Sequence, residues 1–222
     1  MDRGEREQQL RRRLQEMRRY EEALLETGVS LIAGVDEVGR GPLAGPVTAA
    51  AVILPPDCDI LGIDDSKKLT PLRREALALE IRAKAVCWAL GWRDCSRIDE
   101  VNILQATKEA MILALRSLKG RPQHVLIDAL YLPECNAPQT AIIRGDSFSV
   151  SIAAASILAK VARDEVMRAY GSTYPGYAFE RNKGYRTRDH YEGLDKLGLC
   201  PIHRRSFLQS YLERGNRWNQ DE

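Results

Sequence analysis

One stretch constrains this chain more than any other: LIAGVDEVGRGPLAGPVTAAAVIL, residues 31–54. Two apolar runs are separated by Gly39, Arg40, Gly41, Pro42 and Gly45, and the first run ends in two adjacent carboxylates, Asp36 and Glu37. That pattern predicts two strands joined through a glycine-rich turn. Carboxylates in an apolar strand are costly to hold charged unless something compensates them, and a divalent cation is the usual compensator. The stretch therefore predicts a metal site beside a turn that exposes main chain.

Upstream, residues 1–28 carry seven arginines against seven acids, with Leu10, Leu14, Met17, Leu24 and Leu25 at helical spacing. They read as a charged amphipathic helix, with a solvated charged face. Downstream, the polar loop GIDDSKKL is followed by Thr70-Pro71, a cap with proline at the first helical position, opening a helix to about Lys84. A third strand over residues 86–92 would complete an antiparallel meander. One long helix is expected within residues 94–120, then short strands at 124–128 and 140–143, a helix of small residues over 150–170, and short helices near 187–197 and 205–212. The sum is an α/β fold on a mixed sheet with a helical C-terminal extension. Its expected division is an N-terminal helix (1–28), a catalytic core (29–170) and a basic extension of the same domain (171–222).

Three places put acids at the end of an expected strand: Asp36 with Glu37, Asp128, and Asp146. In α/β sheets that edge is where sites are built. Four carboxylates gathered there match the demand of hard, oxygen-preferring Mg2+ or Mn2+, and two such ions about 4 Å apart can clamp both oxygens of a phosphodiester displacement. Asp164 competes with Asp146 for the fourth place, but it lies mid-helix after Lys160 and Arg163, where an ion pair explains it. Asp36 and Glu37 also pose a difficulty, because successive side chains on a strand point to opposite faces. Either the chain bends at Glu37, or Glu37 comes in from another direction.

The net charge of +2 says little, but residues 181–218 hold nine basic and four acidic residues, a footprint suited to phosphates. Three histidines lack zinc spacing, and the five cysteines form no C-x-x-C pair, so they read as reduced packing thiols. No apolar stretch reaches the roughly 20 residues that span a bilayer, and the charged start is unlike a secretory signal, which leads us to expect a cytoplasmic location.

The motifs GVDEVGRGPLAGPV, DDSKKL, IDEVNILQAT, LIDAL, GDSFSVSIAAASILAKVARD, NKGY and PIHRRSF, in that order, resemble bacterial ribonuclease HII over about residues 31–212. The resemblance implies a ribonuclease H-like fold and cleavage of the RNA strand in RNA·DNA hybrids. It also implies incision 5′ of single ribonucleotides embedded in duplex DNA, leaving 3′-hydroxyl and 5′-phosphate ends, with Mn2+ or Mg2+. Carried over by position, the metal-binding acids fall on Asp36, Glu37, Asp128 and Asp146, and the ribose-reading element on Gly39, Arg40 and Gly41. The tyrosine packing beside the sugar falls on Tyr185, and a phosphate-contacting lysine on Lys67. The family usually continues Gly-Tyr-Gly-Thr, whereas here Arg186 and Thr187 follow Tyr185. Two rival readings are a non-catalytic nucleic-acid-binding module on the same fold and a related metal nuclease acting on DNA.

Overall fold

The apolar runs of residues 31–54 become β1 (Ile32–Val38) and β2 (Val47–Ile53), the centre of a five-stranded sheet. The computed structural model describes residues 2–218. β3 (Cys87–Arg93) pairs antiparallel with β2, and β4 (His124–Asp128) and β5 (Gln139–Ile142) follow in parallel beyond β1, giving the order β3-β2-β1-β4-β5. The expected meander and the mixed sheet are both present.

Both faces of the sheet are covered, which explains why β2 reads as an unbroken apolar run. Ala50 and Val52 face a core shared with α1 (Arg3–Met17), α3 (Pro71–Lys84) and α6 (Val150–Thr173). Ala49, Ala51 and Ile53 face the opposite core, built with α4 (Cys95–Val101) and α5 (Ile103–Arg116). The small residues of α6 bring it close to the sheet. Gly34 marks the tightest contact, since a Cβ there would stand 2.0 Å from the Ser151 main chain.

Two expected single helices are each broken. The N-terminal segment forms α1 and α2 (Arg19–Glu26), joined at Arg18. Leu14 and Met17 are buried, and Glu21 accepts hydrogen bonds from the Ser149 hydroxyl and the Ser151 amide at the start of α6. The 94–120 segment breaks at Asn102, which takes φ +71° and accepts from the Leu104 and Gln105 amides. The Asn102 side chain caps the new helix, whereas the apolar spacing runs through it uninterrupted. The C-terminal third forms α7 (Phe179–Asn182), α8 (Arg188–Leu197) and α9 (Gln209–Trp218), and packs through Tyr177, Phe179, Leu194 and Ile202 on Leu43 and Ala44. No disulfide links the five cysteines. Among the described residues no helix is long and apolar enough to cross a membrane.

Candidate active site

The C-terminal ends of the parallel strands β1 and β4 lie side by side, with Val35 opposite Ile127, so Asp36 and Asp128 follow at neighbouring positions. β1 stays paired through Val38, so the chain does not bend at Glu37. Strand alternation sends Asp36 toward α6, where it bonds Ser156, and sends Glu37 the other way. Glu37 pairs with Arg40 at 3.4 Å yet is close enough to feel the charge of Asp128. Its carboxylate therefore lies on the face of the strand opposite Asp36.

Asp146 is brought in by a short turn of 3-10 helix, Gly145–Ser147, after β5. The Gly145 amide donates to Asp128 Oδ1 at 2.6 Å, which ties that turn to β4. Lys67 Nζ stands 3.9 Å from Asp146 Oδ2. The DDSKKL loop is held in place from three sides. The Ser156 and Ser66 hydroxyls are hydrogen-bonded at 2.9 Å, buried Arg74 donates to the Ser66 carbonyl at 2.8 Å, and Arg13 of α1 grips both Asp64 and the Ser147 carbonyl. Asp164 lies in the helical ion pair expected of it, 2.7 Å from Lys160, and also 3.8 Å from Arg74 of α3.

The electrostatics of the four acids follow from crowding and burial. Asp36 is pushed well above the ordinary carboxylate range by burial, then by Glu37 and Asp128. Burial also raises Glu37, with Arg40 opposing, and raises Asp146, with Asp65 and Asp128 adding to the effect. Burial works to lower Lys67, but the surrounding acids, Asp146 foremost, outweigh it and raise the amine. Glu37 Oε2 is buried with no hydrogen-bond partner. Crowded oxygen donors with an orphaned carboxylate oxygen suit a hard divalent cation. Among the described residues no three His, Cys, Asp or Glu side chains form a finished metal cage, so the fit is one of charge and donor chemistry.

Beside the acids, the 39–41 turn rests on two buried arginines. Arg204 donates to the carbonyls of Gly39 (2.6 Å), Arg40 (3.1 Å) and Gly45 (2.7 Å). Arg163 donates to those of Pro46, Ala44 and Lys183. Burial pulls both guanidiniums down, Arg163 to about 10 and Arg204, with Arg163 adding to the effect, to about 9, so both remain cations at neutral pH. Gly39 takes φ +98°, and a Cβ there would meet Arg163 Nε at 2.3 Å. In a trans peptide the N–H points opposite the C=O. With the Gly39 and Arg40 carbonyls held inward by Arg204, the Arg40 and Gly41 amides point away from it. Tyr185 closes the other side, its ring 3.8 Å from where a Gly41 Cβ would stand and 6.0 Å from the Arg163 guanidinium. Arg186 is exposed and is not among the residues at positive φ, so arginine is tolerated where the family usually has glycine.

Arg204 belongs to the basic segment expected to face phosphates, but it is wholly buried and serves the turn instead. Arginine is ordinarily exposed, so no local signal revealed this. Asp65, which acts on Asp146, went unassigned, although its place two residues before Lys67 was a usable signal.

A family model described as Ribonuclease HII matches residues 33–210. Curated proteins named Ribonuclease HII from Syntrophomonas wolfei and Moorella thermoacetica are each 55% identical, over 88% and 89% of this chain and 77% and 96% of theirs. The crystal structure of ribonuclease H2 from Pyrococcus horikoshii superposes with a TM-score of 0.69 at 29% identity, covering 82% of this chain and 97% of that one. Fold and kinship define a ribonuclease H endonuclease. Within that class the chain belongs to the ribonuclease HII family, endoribonucleases of RNA·DNA hybrids.

Proposed function

We propose that Asp36, Glu37, Asp128 and Asp146 hold Mg2+ or Mn2+ here, and that the enzyme also incises 5′ of single ribonucleotides embedded in duplex DNA, leaving 3′-hydroxyl and 5′-phosphate ends. One observation carries the reading: the acids, the 39–41 turn and Tyr185 are contiguous. Glu37 pairs with Arg40, and the Tyr185 ring reaches the position of a Gly41 side chain.

Divalent cations at the acids supply positive charge for the attacking and leaving oxygens of phosphodiester hydrolysis. Asp36, which feels both Glu37 and Asp128, would hold the cation together with them. Arg40 and Gly41 present their amides to the 2′-hydroxyl, the group that separates RNA from DNA. The missing side chain at Gly41 lets the sugar approach main chain, and Tyr185 packs beside it. Lys67, largely exposed beside Asp146, meets a phosphate. Exposed Arg186 and Arg205 contact the duplex backbone without reading sequence.

The test uses duplex DNA with one ribonucleotide, an RNA·DNA hybrid and plain DNA, with and without Mn2+, for the wild type and Asp36→Asn. A metal-dependent nick 5′ of the ribonucleotide, absent in the variant, is expected. Cutting of plain DNA at a similar rate, or equal cutting by the variant, contradicts the reading.

A further inference from the structure

Between Tyr185 and the loop that follows Gly41 runs a chain of ring nitrogens. His190, in α8, and His203, which bridges to Ala44, are both buried. The segment around His203 is paired into the loop, Gly45 donating to the Ile202 carbonyl and Arg204 to the Leu43 carbonyl, each at 2.8 Å. His190 Nδ1 lies 2.9 Å from the Tyr185 carbonyl oxygen, and the two Nε2 atoms face each other at 3.0 Å. The Cys200 amide stands 2.9 Å from His203 Nδ1.

Donor and acceptor rules allow one neutral arrangement. A carbonyl oxygen only accepts, so His190 Nδ1 carries the proton and its Nε2 is bare. That bare nitrogen must receive the Nε2 proton of His203, whose own Nδ1 then accepts the Cys200 amide. The Cys200 carbonyl lies 3.2 Å from the same Nδ1 and receives the His203 amide. A further proton on either ring would set two N–H groups head to head.

The surroundings oppose that proton. Tyr177 and Phe179 pack against both imidazoles, and the Tyr177 hydroxyl is occupied by the Gly198 carbonyl. On α8, Asp189 and Glu192 are engaged outward by Arg181 and Arg188. Among the described residues neither ring has a carboxylate partner. Burial lowers His190, and burial together with His190 lowers His203 to about 4.

We propose that this neutral, tautomer-locked histidine pair sets the place of Tyr185 relative to the 39–41 turn, making His190 a positioning residue for ribose recognition. The inference rests on the reading of Tyr185 as the residue beside the sugar.

Two experiments test it. Long-range 1H–15N NMR of the wild type should find His190 as the Nδ1–H and His203 as the Nε2–H tautomer, with neither ring charging as pH falls through about 6.5, the ordinary histidine value. The opposite tautomers, or a charged ring at neutral pH, overturn the proposal. In kinetics on duplex DNA with one ribonucleotide, His190→Phe removes both bonds, while His190→Asn keeps an amide donor for the Tyr185 carbonyl. His190→Phe should lower kcat/KM about tenfold, and His190→Asn should recover most of the loss. In a Tyr185→Ala background His190→Phe should add nothing. Equal losses in the two His190 variants, or an undiminished His190→Phe effect without Tyr185, overturn the relay alone. No effect of Tyr185→Ala by itself overturns the reading of Tyr185, and the positioning role with it.

Discussion

Asp36 is buried, bonded to Ser156 and to the Glu37 amide, and crowded by two carboxylates. Asparagine keeps the acceptor and removes the charge. Asp36→Asn should therefore stabilise the metal-free protein by about 1 kcal/mol or more while abolishing cleavage, as expected where function holds like charges together. Denaturant unfolding in EDTA checks the first part, and an unchanged or lower midpoint would count against the crowding argument. Arg204 makes the opposite case. Arg204→Met leaves three inward carbonyls without their donor, and we expect a loss of about 3 kcal/mol in the same measurement.

At the scale of elements, the geometry of the site depends on how closely α6 lies on β1. Gly34→Ala puts a methyl group against the Ser151 main chain, which cannot swing aside as a side chain would. We expect thermal unfolding to show a loss of about 3 kcal/mol. The strands were legible because apolar runs were punctuated by glycine and proline, and four acids stood out because they lie at the ends of three such runs. The Asn102 break was hidden because the apolar spacing of α4 and α5 continues across it. The arginine buttress was hidden because Arg163 and Arg204 sit in sequence among ordinary surface charges, far from the turn they hold. The histidine pair was equally invisible, since a proline-containing loop separates its members and only packing against Tyr177 and Phe179 sets the rings together.

For the whole molecule, the raised acids link folding to pH and metal. A carboxylate raised on folding favours the folded state below its ordinary value, and that contribution is lost as pH rises through the folded value. Asp36, Glu37 and Asp146 all shift this way. The metal-free protein should thus lose stability as pH climbs out of the carboxylate range, and Mg2+ should restore it. Melting temperatures with Mg2+ and with EDTA should differ more at neutral pH than near about pH 5, where protons compete for the same oxygens. Substrate affinity should also fall with salt if, as proposed, Lys67, Arg186 and Arg205 contact phosphates. The central claim is that the 39–41 turn and Tyr185 read the sugar while the acids cut beside it. The most direct measurement compares single-turnover rates in Mg2+ on two duplexes differing only in a 2′-hydroxyl or 2′-hydrogen at one position. A ratio of about 10^4 or more is expected of a site built to bond that hydroxyl, and comparable rates on the two duplexes would contradict the account.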